Sequence, residues 1–144
     1  MAIVQSANSL TKGLSVVIAD DDDMTREMLR GLLRAAGFNV IGEASDGARA
    51  LELYQKQKPK ILCLDIEMPG KNGLETLKEI RNVDSQTIIL MITAAATGDN
   101  VHAAIAAKAS GIIVKPFNTA SIVNAMERAI AAQKSSEPTA SAGK

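Results

Sequence analysis

A chain of 144 residues suits one domain with a sizeable core and leaves no length for a second. Its 16 basic and 16 acidic residues cancel, which excludes a general nucleic-acid binder, because such proteins need a basic surplus to neutralise phosphates. The single cysteine excludes a disulfide framework and a cysteine-built zinc site, and no apolar run nears the ~18 residues of a membrane span, so the expected setting is reducing, cytoplasmic and without membrane contact.

Residues 1–13 are expected to be a loose extension without the charged start of a signal peptide, and residues 134–144 (KSSEPTASAGK) a polar tail with nothing to bury. Between them, residues 14–133 form the expected domain. Aromatic residues are only 2% of the chain, so its core is aliphatic. Residues 16–19 (VVIA) are a short apolar run without alternation, as a strand reads when both of its faces are covered. A helix follows, with Met24, Met28, Leu29, Leu32 and Leu33 as its apolar stripe, Gly37 as its breaker and Asp23 as its expected N-cap. Asn39–Ala44 (NVIGEA) is a weaker strand, and Gly47–Gln57 a helix facing inward through Ala48, Leu51 and Tyr54. Residues 61–64 (ILCL) give the next strand, followed by a helix through Leu74, Leu77 and Ile80. Residues 88–92 (IILMI) precede an Ala-rich helix with Asp99 as expected N-cap and Val101, Ile105 and Ala109 inward. Gly111–Val114 (GIIV) precedes a last helix carried by Ile122, Val123, Met126, Ala129 and Ile130. Five strand–helix repeats imply a doubly wound α/β fold around a parallel sheet.

The residues that follow the strong strands carry the chemistry. Asp20, Asp21, Asp22 and Asp23 come after the first, Asp65 after ILCL, Thr93 after IILMI and Lys115 after GIIV. In an open parallel sheet the carboxyl ends of the strands form the ligand edge, so these residues converge on one patch. Two carboxylates ~4 Å apart repel by roughly 4 kcal/mol at an effective dielectric of 20. A helix N-terminus returns only about 0.3–1 kcal/mol per anion. Lys115 offsets one negative charge; the remainder calls for protonation or a bound cation. Oxygen ligands without a nearby histidine or cysteine favour a hard ion such as Mg²⁺. Acids, a hydroxyl, an ammonium and Mg²⁺ suit phosphoryl transfer to an aspartate.

In order and spacing, VVIADDD, LDIEMPGKNG, MITA and VKPF resemble the receiver domain of two-component response regulators, single-domain and chemotaxis-regulator-like. The resemblance implies a flavodoxin-like (βα)5 fold with a five-stranded sheet in the order 2-1-3-4-5. It implies Asp65 as phospho-acceptor, with Asp20, Asp21 and Asp65 at the Mg²⁺ site and Glu67 giving the metal its backbone carbonyl. Thr93 matches the switch hydroxyl and Lys115 the phosphoryl ion pair, with a cis Lys115–Pro116 bond. A histidine kinase or histidine phosphotransfer protein would be the donor. A downstream protein would read the product through the face of the fourth helix, fifth strand and fifth helix, with no direct contact to nucleic acid. Such a domain is a signalling module rather than an enzyme.

Ile112 departs from the family pattern, standing where many receivers carry a swinging aromatic, and Asn72-Gly73 replaces the more usual Asp-Gly. The departure at Ile112 keeps open a non-switching interaction module. The acids after the first strand also resemble an aspartate-nucleophile phosphatase of the haloacid dehalogenase type, but Asp65 would then lack a role. Asp22 is left between the metal site and the surface. Cys63 is expected to be an inert core residue and His102 a helix-surface residue.

Overall fold

The computed structural model describes residues 12–136. The expected extension and tail lie mostly outside them. In chain order the elements are β1 (Ser15–Ala19), α1 (Asp23–Ala35), β2 (Asn39–Ala44), α2 (Gly47–Gln57), β3 (Ile61–Asp65), α3 (Gly73–Val83), β4 (Ile88–Thr93), α4 (Gly98–Ala106), β5 (Gly111–Val114) and α5 (Thr119–Ser136). All neighbouring strands pair in parallel, in the order β2-β1-β3-β4-β5 that the family resemblance implies. The winding reverses between β1 and β3, which opens the sheet edge beyond their carboxyl ends.

Alternation along each strand divides the core into two layers. Val16, Ile18, Ile61, Cys63, Leu90 and Ile92 meet Leu29 and Leu33 of α1 and Ile122 and Met126 of α5. Val17, Leu62, Leu64, Ile89 and Met91 meet Ala50 and Leu53 of α2, Leu77 and Ile80 of α3 and Ala104 of α4. Cys63 is fully buried, as expected, and burial pushes its thiol up to about 12.

Three helices turn other faces inward than the apolar stripes suggest. On α1, Leu29 and Leu33 are buried, whereas Met24 and Met28 are exposed. Each pair is spaced i, i+4, and the two lines lie about 140° apart, so only one meets the sheet. On α2 the buried line is Ala50, Leu53 and Tyr54, Leu51 is half-buried, and Ala48 faces solvent. On α4 only Ala104 is fully buried, while Ile105 is 63% exposed. Two N-caps also shift. Asp22, not Asp23, caps α1, its carboxylate accepting from the Thr25 amide at 3.0 Å. Thr97, not Asp99, caps α4, its hydroxyl accepting from the Asn100 amide at 3.1 Å. In each case the cap lies outside the helix and the acidic residue falls in the first turn, where it still meets the dipole favourably.

Two glycines fix how the β3–α3 loop sits. Asn72 caps α3 in a reciprocal box with Glu75, so Gly73 opens the helix against the end of β3. A Cβ at Gly73 would lie 2.1 Å from the Asp65 carbonyl oxygen, and one at Gly47 would lie 2.2 Å from the Lys71 carbonyl oxygen. Neither neighbour is a side chain that can turn away. At the other end of the sheet, Asp84 closes α3. It accepts from the Tyr54 hydroxyl at 2.6 Å, from the Gln86 amide at 2.8 Å, from the Thr87 amide at 3.1 Å and from the Thr87 hydroxyl. Burial works to raise the Asp84 pKa, but these donors outweigh it and hold the carboxyl well below the usual range.

Gly73→Ala should lower unfolding stability by about 2–3 kcal/mol in urea titrations, the cost of overpacking against an unyielding backbone. The Asp84 contribution is complete above the unfolded carboxylate range and is lost as pH falls through it, because the folded value is the lower of the two. The acid limb of wild-type stability below about pH 4 should therefore be shallower in Asp84→Asn, and equal slopes would contradict this account of the corner.

Candidate functional site

Asp20 follows β1 at the winding reversal. Its amide bonds to the Ala44 carbonyl at 3.0 Å, prolonging the ladder, and its side chain is 1% exposed. The neighbouring chain turns at once: the Asp22 amide donates to Asp20 Oδ1 at 2.9 Å, and Arg26 Nη1 donates to the Asp20 carbonyl at 2.7 Å. Asp65 is the last residue of β3, inside the strand rather than after it, and pairs with Ile92 of β4. The Glu67 amide donates to Asp65 Oδ1 at 3.2 Å, while the Glu67 side chain points to solvent. Lys115 follows β5; its amide bonds to the Thr93 carbonyl at 2.8 Å, and its peptide bond to Pro116 is cis. From there the ammonium reaches Asp20 Oδ2 at 2.8 Å and Asp65 Oδ2 at 3.2 Å.

Asp20, Asp21 and Asp65 each offer a carboxylate oxygen, and these atoms lie within 4.8 Å of one another. Asp21 is exposed and the other two are buried. One ammonium therefore pairs with two of three clustered carboxyl groups. Its contact with Asp20 Oδ2 is an ion pair without hydrogen-bond geometry, and that buried oxygen has no hydrogen-bond donor. An orphaned buried oxygen beside two further carboxylates fits a small, hard divalent cation.

The electrostatics follow from this crowding. Burial pushes the Asp65 carboxyl up to about 6; the charge of Asp20 adds to the shift, while Lys115 and the Glu67 amide oppose it. Burial works to lower the Lys115 pKa, but its contact with Asp20 and the charges of Asp65 and Asp20 outweigh that and raise it. Asp22, the residue left between two roles, is the α1 cap. The Thr25 hydroxyl at 2.5 Å and then the Thr25 amide draw its pKa down.

Thr93 ends β4 as a fully buried residue on the same sheet edge, and its hydroxyl accepts from the Ala95 amide at 2.9 Å. Asp20, Asp21, Asp65 and Lys115 thus meet directly, with Glu67 and Thr93 beside them. Ile112 does not join them: it pairs with Met91 in the sheet and packs half-buried against the α2–α4 layer. His102 is exposed on α4.

Sequence reasoning missed two polar residues at this edge. Arg26 binds the Asp20 carbonyl and is held by Asp23 at 2.5 Å and Glu43 at 3.4 Å. Asn100 donates to the Ala95 carbonyl at 2.7 Å and lines a groove with Asp21, Glu67, Met68 and Pro69. Neither stands after a strand. Their only sequence signal is a place in the first turn of α1 or α4.

The model of the response regulator receiver domain matches residues 16–127. The chain belongs to that family. Chemotaxis protein CheY of Thermotoga maritima is 39% identical over 116 residues, 81% of this chain and 97% of its own length. Among solved structures, the CheX-CheY-BeF3-Mg+2 complex from Borrelia burgdorferi is similar with TM-score 0.77 and 30% identity, covering 80% of this chain and 87% of the matched chain. A CheY-like receiver domain protein from Methanospirillum hungatei matches with TM-score 0.81 at 21% identity, covering 88% of this chain and 100% of that one, a likeness of fold. Among the described residues no helix of this receiver is long and apolar enough to cross a membrane.

In the metal-free receiver the folded state holds an extra proton on Asp65 between its unfolded value, ~3.9, and its folded value of about 6. Stability should fall as pH rises through that window. Asp65→Asn cannot ionise, and in EDTA at neutral pH it should be roughly 1–3 kcal/mol more stable than the parent. Chemical denaturation checks this, and a less stable variant would sink the charge-crowding account.

Proposed function

We propose that this receiver takes a phosphoryl group from a phosphohistidine onto Asp65 and controls the binding of a protein partner by its phosphorylation state. One observation carries the reading: the Lys115 ammonium spans Asp20 and Asp65 while Asp21 stands within metal-sharing reach of both. With a pKa of about 6, Asp65 is an anion at neutral pH and can act as nucleophile. A carboxylate oxygen attacks phosphorus, the P–N bond of the donor breaks, and its electron pair leaves on the imidazole nitrogen. The product is an acyl phosphate. Lys115 stands where the transferring group's new negative charge arrives, and its elevated pKa keeps it protonated there.

Asp20, Asp21 and Asp65, with the Glu67 backbone carbonyl, would hold Mg²⁺. When bound, the ion neutralises charge on the transferring phosphoryl oxygens. Thr93 would supply a hydroxyl donor to the phosphorylated aspartate. Phosphorylation adds roughly 1.5–2 negative charges to an edge already rich in them. It acts by favouring whichever conformer binds that charge better. The donor would be a histidine kinase or histidine phosphotransfer protein in the cytoplasm. The Borrelia structure holds CheX with CheY, and a protein partner of this receiver would likewise read the modified state. The face of α4, β5 and α5 is the proposed surface, with no direct contact to nucleic acid. The domain assists its own phosphorylation and turns over no external substrate.

Incubation with acetyl phosphate and Mg²⁺, followed by intact-mass measurement, should add one phosphoryl group to the wild type. Asp65→Asn and EDTA-treated samples should gain none, and Lys115→Ala should react roughly 100-fold more slowly. An unmodified wild type, or full modification of Asp65→Asn, would overturn the assignment.

A further inference from the structure

The proposed phospho-acceptor must be linked to a surface that a partner can read, and the polar contacts at the end of β4 trace such a link. The Thr93 hydroxyl, fully buried on the site edge, accepts from the Ala95 amide at 2.9 Å. Across the same residue, the Ala95 carbonyl accepts from Asn100 Nδ2 at 2.7 Å. Asn100 belongs to the first turn of α4, where its own amide is fixed to the Thr97 cap at 3.1 Å. Two hydrogen bonds and one residue of backbone thus join a hydroxyl at the site to the start of a helix.

The helix at the far end of that link is lightly seated. Among its residues only Ala104 is fully buried, and its largest aliphatic side chain, Ile105, faces solvent. Val101 and Ala103 are only half-buried, so displacing α4 disturbs little fully buried apolar surface. Ile112, the neighbouring side chain on β5, has no polar atom with which to follow a change in charge.

On the reading of Asp65 as phospho-acceptor, we infer that Asn100 is a positioning residue, tethering α4 to the Thr93 hydroxyl so that a shift of that hydroxyl toward a phosphoryl group moves the helix. A hydroxyl can donate its proton to a phosphoryl oxygen while its own oxygen keeps the Ala95 amide. The Ala95 peptide therefore follows Thr93. Its carbonyl then draws the Asn100 amide nitrogen, and with it the first turn of α4. The side chain acts through backbone atoms and touches no reacting group.

The test compares wild type, Asn100→Asp, Thr93→Val and the double variant by amide hydrogen exchange and amide NMR shifts of α4. Asn100→Asp keeps the shape and suits a helix N-terminus, but cannot donate to the Ala95 carbonyl. Without phosphodonor, each single variant should accelerate exchange in α4 by about fivefold, the weight of one lost hydrogen bond, and the double variant no further than either alone. Wild-type exchange in Asn100→Asp, or additive effects in the double variant, would overturn the tether. With acetyl phosphate and Mg²⁺, Asn100→Asp should gain the same phosphoryl mass as wild type, while its α4 signals move less than half as far. Full-size α4 displacement in phosphorylated Asn100→Asp would also overturn it. A wild type that gains no mass would defeat the phospho-acceptor reading instead, and the exchange measurements would still decide whether the tether exists.

Discussion

The whole arrangement rests on three carboxyl groups, two of them buried, brought together at a sheet edge with the Lys115 ammonium set between the buried pair. A parallel sheet wound in two directions brings the ends of β1 and β3 side by side. Burial then denies their charges the screening of water, and Lys115 answers only part of the repulsion. This conflict makes the edge a place for chemistry. A carboxylate held out of water is paid for in stability, and a cation arriving there would meet groups already positioned for it.

The opposite end of the sheet offers a useful contrast. Asp84 is also partly removed from water, yet four donors converge on it and its carboxyl stays ionised well below the ordinary range. One acid is satisfied and structural; the other is crowded and poised. The difference lies in the neighbours each backbone turn supplies, not in residue type.

Much of this was legible in the residues. Short apolar runs without alternation revealed covered parallel strands, and their ends marked Asp20, Asp65, Thr93 and Lys115, because strand periodicity leaves little freedom about where a side chain emerges. Helix faces were harder. Met24 and Leu29 are both apolar, and only packing decides which line meets the sheet. Ala-rich α4 carries too little contrast to orient it. Asp22 against Asp23, and Thr97 against Asp99, are choices between adjacent capping residues that the local backbone makes. Arg26 and Asn100 escaped notice because each reaches this edge through a main-chain carbonyl, and any residue supplies one.

Gly47 and Gly73 give the domain a stiff side. Gly47 presses bare backbone onto the Lys71 carbonyl in the loop after β3, and Gly73 onto the Asp65 carbonyl at the end of β3, leaving no clearance for α2 or α3 to slide relative to that strand. On α4, by contrast, Ala104 is the one fully buried residue, with Val101 and Ala103 half-buried. A push originating at the acid cluster therefore meets unyielding backbone at α2 and α3 and the least apolar resistance at α4, so compliance is concentrated in that one helix.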